Sequence, residues 1–237
     1  MTELPVVLDI PLAINLAAVF VGALVGTVRA GEDPKVDVVG MFTLAAVLGF
    51  GGGLVRDILL GNLPPAAFRD ARYLIAAMVA TLIGAVALYY VARIQRLLWS
   101  LDTLAIGLFA CVGANAALIA GLGLLPSALI GACASIGGVV LADILQGKPS
   151  SIVHVGPPNA IAGFGGAVTY TALYSVIDDP WVTIMAVLVT LGLRLTGPIL
   201  NLTIPQPRRR AYELRRRRDE DRRKLRRAER NPRNRNA

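Results

Sequence analysis

Along most of this chain, apolar runs of roughly twenty residues alternate with short connectors of charged residues and turn formers. Seven runs stand out, at about 10 to 28, 36 to 60, 72 to 92, 101 to 121, 125 to 145, 159 to 177 and 181 to 201. Each is near the ~20 residues that an α-helix needs to cross a bilayer. The pattern therefore predicts an all-α integral membrane protein with seven transmembrane helices. The connectors run from Arg29 to Lys35, Asn62 to Arg72, Arg93 to Ser100, Gly121 to Leu125, Gly147 to Pro158 and Asp178 to Pro180. Past residue 203 the alternation stops and arginine takes over, so the reading is a membrane domain over 1 to 203 and a tail over 204 to 237.

The apolar pattern is written twice. Residues 49 to 61 read Gly-Phe-Gly-Gly-Gly-Leu-Val-Arg-Asp-Ile-Leu-Leu-Gly, and 86 positions later, at 135 to 147, comes Ser-Ile-Gly-Gly-Val-Val-Leu-Ala-Asp-Ile-Leu-Gln-Gly. Upstream, Gly22 to Gly26 and Phe109 to Gly113 share a Gly/Phe-Ala-x-x-Gly pattern at an offset of 87. A unit of three helices is odd, so the second copy must cross the membrane in the opposite sense to the first. That predicts two inverted three-helix repeats, about 10 to 92 and 101 to 177, and an unpaired seventh helix at about 181 to 201.

Gly51, Gly52 and Gly53 in the second run, and Gly137 and Gly138 in the fifth, each cost a helix about 1 kcal/mol relative to alanine. Something must offset that cost. Close approach of two helices is one reading, and Gly49 with Gly53 forms a Gly-x-x-x-Gly pair of the kind that permits it. The other is a broken helix whose freed backbone groups line a watery path, the only place where such groups are tolerated at membrane depth. Recurrence of the cluster in both halves favours the break, and broken helices at matching positions of two repeats point to a transport site.

Charged residues inside the runs are the next candidates, since each costs about 2.5 to 3.5 kcal/mol at the centre of a membrane helix unless partnered or wetted. Arg56 and Asp57 either snorkel at the membrane surface or are held inward across the repeat axis. In the second copy Asp143 matches Asp57, but Ala142 stands in place of the arginine and Val139 in place of Gly53, so the repeat is asymmetric in charge. The solitary Asp143 is expected to make the inner end of a path attractive to cations. Asp102 and Arg194 are supporting polar residues within the membrane, and Arg194 should pair with an acid or a carbonyl.

Composition narrows the function classes. The chain is 55% hydrophobic and 17% charged, with mean hydropathy +0.60, too apolar for an ordinary soluble domain. Its net charge of +8 belongs to the tail: from Pro207 onward fifteen basic residues face five acids, and everything before is slightly acidic. Such a tail is suited to contact with anionic lipid, and no module for specific nucleic-acid recognition accompanies it. No nucleophile and base, phosphate loop or metal-ligand spacing is visible, so neither an enzyme nor a cofactor is expected. Cys111 and Cys133 fall in apolar runs and read as small hydrophobes, and the first residues show no removable signal peptide. Basic residues in short connectors mark the cytoplasmic side. Arg29, Lys35, Arg93, Arg96, Lys148 and the tail fall on one side against Arg69 and Arg72 on the other, which predicts an outside N-terminus and a cytoplasmic C-terminus in the cell membrane.

Gly-Gly-Gly-x-x-Arg-Asp-Ile-Leu-Leu-Gly, its Gly-Gly-x-x-x-x-Asp echo and the three-plus-three-plus-one arrangement resemble the prokaryotic trimeric intracellular cation channel family, also called the glycine transporter domain family. The resemblance covers about residues 5 to 203 and leaves out the tail. It implies a homotrimer with a pore in each protomer, potassium as the permeant ion, and kinks at Gly51 to Gly53 and at Gly137 and Gly138, with Arg56 and Asp57 as the associated polar pair. Two departures are Ala142, where a second arginine is common, and Asn159 opposite Tyr73. Function is accordingly expected to be a monovalent-cation channel lined by the second and fifth helices; the alternative is a secondary transporter for a small solute such as glycine.

Overall fold

The computed structural model describes residues 12–91, 95–150, 159–178 and 180–200, and positions 216 and 218 of the tail. The chain divides into two units, Met1–Leu202 and Thr203–Ala237. Expectations for the tail, including its contact with lipid, lie outside the described residues apart from helical Arg216 and Arg218.

The first unit is all-helical among the described residues. Its elements are α1 (Leu12–Gly31), α2 (Val38–Leu60), α3 (Ala66–Arg69), α4 (Ala71–Val91), α5 (Gln95–Ile119), α6 (Leu124–Leu145), α7 (Asn159–Leu173) and α8 (Trp181–Leu200). Seven of these fall on the seven apolar runs, and α3 is a single turn inside a predicted connector. In a bilayer core a helix satisfies its own backbone groups, which is why uninterrupted apolar sequence becomes helix here. Among the described residues, four stretches are long and apolar enough to cross a membrane: Leu12–Gly31, Val38–Leu60, Leu97–Ile119 and Leu124–Leu145. Shorter apolar helices cover Ala71–Val86 and Trp181–Thr196.

The largest boundary shift is at α5, which starts at Gln95 instead of near 101. Leu97, Leu98 and Trp99 continue the helical run through a segment whose charges suggested a connector, and this brings Trp99 to the Arg194 guanidinium, 5.3 Å from ring centroid to Cζ. Asp102, expected to open the helix, therefore lies two turns inside it.

Helix ends follow local chemistry. The Asp37 side chain caps α2 by accepting from the Gly40 N–H at 2.7 Å. At the far end Gly61 takes φ 71°, and the Asn62 N–H closes back on the Asp57 carbonyl at 2.8 Å. The end of α6 repeats this: Gly147 has φ 61°, and the Lys148 N–H returns to the Asp143 carbonyl at 2.9 Å. Both ends need a residue free to enter the left-handed region, hence glycine at both.

α5 is buried along most of its length, packed against α1, α6, α7 and α8. α1 also packs on α2 and α4, α6 on α2 and α7, and α8 on α7. The outward face of α4 carries Leu74, Ile75, Met78, Val79, Leu82, Ile83 and Val86, all exposed. A continuous apolar face of this kind suits lipid and not water. Buried Thr27, Thr81 and Thr190 return their hydroxyls to carbonyls four residues back in their own helices, at 2.7 to 2.9 Å, so none needs a partner across the bundle.

The expected break at the glycines does not occur. α2 is continuous helix through Gly51 to Gly53, and α6 through Gly137 and Gly138. Close approach is the reason glycine is there. A Cβ on Gly51 would lie 2.6 Å from the Gly138 Cα, one on Gly52 2.4 Å from the Ala134 carbonyl oxygen, and one on Gly138 2.9 Å from the Leu48 carbonyl oxygen. Backbone thus packs on backbone where α2 crosses α6, and that packing offsets the helix-propensity cost while both helices run on uninterrupted.

The crossing contacts are reciprocal. Gly52 meets the carbonyl of Ala134 and Gly138 meets that of Leu48, and both 52 to 138 and 48 to 134 are steps of 86. A step of 87 for the glycines and 86 for the residues they meet relates two other contacts. A Cβ on Gly26 of α1 would meet the Leu44 oxygen at 2.6 Å and the Ala45 Cα at 2.7 Å; one on Gly113 of α5 would meet the Ile130 oxygen at 3.3 Å and the Gly131 Cα at 2.9 Å.

Candidate functional site

Among the described residues two largely buried ionic clusters stand out, and three cavities lie along α1, α2 and α5, the smallest also against α6. The first cluster is Arg56 with Asp57. The guanidinium of Arg56 donates from Nε and Nη2 to Asp57 Oδ1, each at 2.7 Å, and Asp57 Oδ2 accepts the Ala66 N–H at 2.8 Å. The carboxylate thereby caps α3 and neutralises its neighbour at once. Both residues are buried, which agrees with their being held inward, and the bonds seen are within the pair and to the start of α3.

This pair forms part of the wall of a cavity of about 390 Å³. Asn15 of α1, Asn62, Arg69 of α3, Tyr73 of α4 and Asn115 of α5 line it too, giving a polar chamber bounded by five elements. Asn115 accepts from the Tyr170 hydroxyl at 3.2 Å, which ties this wall to α7. Arg69 is held by the Leu63 carbonyl at 2.6 Å. In the loop beside it, the Arg72 guanidinium hydrogen-bonds Asp70 and holds that carboxyl below the usual carboxylate range.

A narrow throat of about 20 Å³ continues from this vestibule, sharing Asn15, Arg56, Asp57 and Tyr73 with it and reaching Gly49, Gly53 and Phe109. Beyond lies a chamber of about 10 Å³ lined by Gly22, Asp102, Phe109, Ser135 and Gly138. Gly53 differs from its neighbours: a Cβ there would meet nothing within 4 Å. Of the three consecutive glycines of α2, Gly51 and Gly52 belong to the helix crossing and Gly53 to the cavity wall.

Asp102 centres the second cluster. Its Oδ1 accepts from Arg29 of α1 at 2.9 Å and its Oδ2 from Arg194 of α8, whose other terminal nitrogen donates to Thr103 at 2.8 Å. One carboxylate therefore holds arginines from two other helices. Arg194 does pair with an acid, as expected of an intramembrane arginine. Its Nε is buried and has no hydrogen-bond partner among the described residues.

Asp143 is buried near the end of α6 but lines none of these three cavities. The structure thus brings together Gly53, Arg56 and Asp57 at the vestibule and throat, and Asp102, Arg194 and Gly138 at and around the inner chamber. Sequence reasoning missed Arg69 and Asn62, which look like ordinary connector residues, and Tyr73, which opens an apolar run. It also missed Phe109, although the repeat alignment had set that residue opposite Gly22.

Replacing Asp57 with Ala strands the Arg56 guanidinium and the Ala66 N–H together. The expected cost is about 2 kcal/mol, below that of a fully dry ion pair because the vestibule lets water reach the arginine. A lower melting temperature in detergent, with faster proteolysis between residues 61 and 70, is the expected observation; an unchanged melting curve would show that the pair is not structural.

The family model described as glycine transporter matches residues 12–89 and again residues 99–175, two segments displaced by the same 86 to 87 positions as the motifs. The chain belongs to this family, the one its glycine motifs resemble. Relatives of the glycine transporter family include a UPF0126 membrane protein of Deinococcus radiodurans, 32% identical over 139 residues, which are 59% of this chain and 62% of that protein. The UPF0126 inner membrane protein YadS of Escherichia coli K12 is 27% identical over 81% of this chain and 93% of its own length. Among solved structures, a TRIC cation channel determined to explain conductance is 26% identical, with TM-score 0.73 over 83% of this chain and 97% of that one. The trimeric intracellular cation channel orthologue from Rhodobacter sphaeroides shares the fold at TM-score 0.69 and 24% identity, over 81% and 98% of the two chains. With these relatives and its apolar helices, this member of the glycine transporter family is a multi-pass membrane protein.

Proposed function

We propose that the chain is a membrane channel for monovalent cations, potassium among them, with a conduction path inside each protomer of a homotrimer. The observation that carries this is the succession of three cavities along α1, α2 and α5, from a polar vestibule to a small chamber that α6 also lines and that holds the buried carboxylate of Asp102. Polar side chains within a membrane bundle are tolerated where they face one another or water, and a file of such groups is what a permeating ion needs. The likeness to TRIC channels supports the same reading and the trimer.

The seven long helices form two inverted repeats, α1, α2 and α4 against α5, α6 and α7, with α8 as the addition. The reciprocal crossing of α2 and α6 supports this, since a two-fold axis requires that residue i of one copy meet j of the other, and j meet i. The membrane domain occupies 1 to 203 in the cell membrane, N-terminus outside. The tail from 204 onward meets anionic lipid on the cytoplasmic face.

Reconstituting the purified protein and recording potassium currents beside glycine uptake tests the proposal. Unitary currents that select potassium over chloride support it; saturable uptake and counterflow without currents would overturn it in favour of a carrier. Asp143 lines none of the three cavities, so Asp143→Asn is expected to leave the reversal potential in a potassium chloride gradient unchanged; a shift towards zero would extend the path to the end of α6.

A further inference from the structure

Throat and inner chamber have one wall residue in common, Phe109. We infer that its ring is the side chain that limits conduction, an apolar plug between two small cavities that each carry a few polar groups, and this rests on the channel reading above. Phe109 is buried, packed in the core cluster with Val19, Ala23 and Phe50. It lies against the crossing glycines, because a Cβ on Gly52 would come within 2.9 Å of its Cδ1. The absence of a side chain at 52 is thus what gives the ring its place.

The compartments on either side are small. A cavity of about 10 to 15 Å³ holds a single water, so the throat at about 20 Å³ and the chamber at about 10 Å³ each have room for little more than that. Asn15 and the Arg56 and Asp57 pair supply polar partners on one side, and Asp102 and Ser135 on the other. The ring offers none. A cation stepping from throat to chamber must shed water without a replacement ligand, and apolar constrictions of this kind close by dewetting.

The repeat sharpens the argument. An offset of 87 sets Phe109 opposite Gly22, and Gly22 lines the inner chamber. The structure therefore fills one of two equivalent positions and leaves the other small, placing a single plug off the repeat axis.

The test needs no assumption that the protein conducts. In a background with Cys111→Ala and Cys133→Ala, silver ion, a thiol-reactive monovalent cation near potassium in size, is added to the vestibule side of oriented proteoliposomes. Protection from later alkylation under denaturing conditions reads access to Gly53→Cys in the throat or Ser135→Cys in the chamber. Gly53→Cys should react fast with Phe109 in place and Ser135→Cys slowly. Adding Phe109→Ala should speed the second reaction at least about tenfold and leave the first unchanged, while unitary potassium conductance rises at least about twofold. Phe109→Leu, which retains most of the buried apolar volume, gives an intermediate rate and serves if Phe109→Ala does not fold. Equal rates at Ser135→Cys with and without the ring would overturn the plug even where currents are recorded. Absence of current in every variant, with the ring still controlling silver access, would overturn the channel and keep the plug.

Discussion

Asp102→Ala is expected to be the most damaging single substitution in the membrane domain, costing about 3 to 5 kcal/mol and preventing recovery of folded protein. Asp102 is the sole acid bonded to both Arg29 and Arg194 among the described residues, and its removal leaves two guanidinium groups facing each other. Arg194 is buried with its Nε already unpartnered, and without Asp102 its only remaining hydrogen bond among the described residues is the one to the neutral Thr103 hydroxyl. Charge removal from both sides separates this from simple loss of volume. Pairing Asp102→Ala with Arg194→Met, a flexible apolar side chain, removes one of the stranded cations and should restore much of the melting temperature in detergent. A double variant no better than Asp102→Ala alone would mean that the carboxylate matters for something other than its arginines.

The second large effect is a contrast between neighbours. Gly52→Ala places a methyl 2.4 Å from the Ala134 carbonyl oxygen, a backbone atom that can move only if the helix crossing opens. Overpacking of this kind costs up to about 3 kcal/mol, and the variant should lose stability and oligomeric homogeneity. Gly53→Ala meets nothing within 4 Å, and exchanging a helical glycine for alanine gains about 1 kcal/mol. It should therefore be as stable as the parent or more so, yet pass less current, because the new methyl enters the throat. Gly53→Val should extend the loss several-fold. Thermal stability and unitary conductance measured on the three variants check the division; a Gly52→Ala protein of full stability, or a Gly53→Val protein of full conductance, would refute it.

That contrast also marks where sequence reasoning stops. Apolar periodicity located seven helices to within a few residues, except where Leu97 to Trp99 carried α5 into a charged connector. The repeat was legible because both copies keep the same turn chemistry, down to glycine in the left-handed region at 61 and 147. The role of the glycines was not legible. Propensity registers only that glycine weakens a helix; it does not register a carbonyl of another helix waiting opposite, and so a crossing was read as a break. Asp102 and Arg194 stand 92 positions apart, and nothing local to either residue names the other. Phe109 looked like one more apolar residue in an apolar run, because a plug and a core residue share the same chemistry until the cavities beside them are seen.

The reciprocal crossing has a consequence for how such a protein could arise. A chain of half this length would present the same glycine and carbonyl pattern to a second copy of itself, so two identical polypeptides could mate through it. In such an ancestor every substitution is made twice: a phenylalanine at the position of 109 would appear at both sites, as would an arginine at the position of 56. Joining the halves into one polypeptide lifts that constraint. Phe109 opposite Gly22, and Arg56 opposite Ala142, are differences that only the fused gene can record, and with them the two sides of one crossing can come to differ in size and charge.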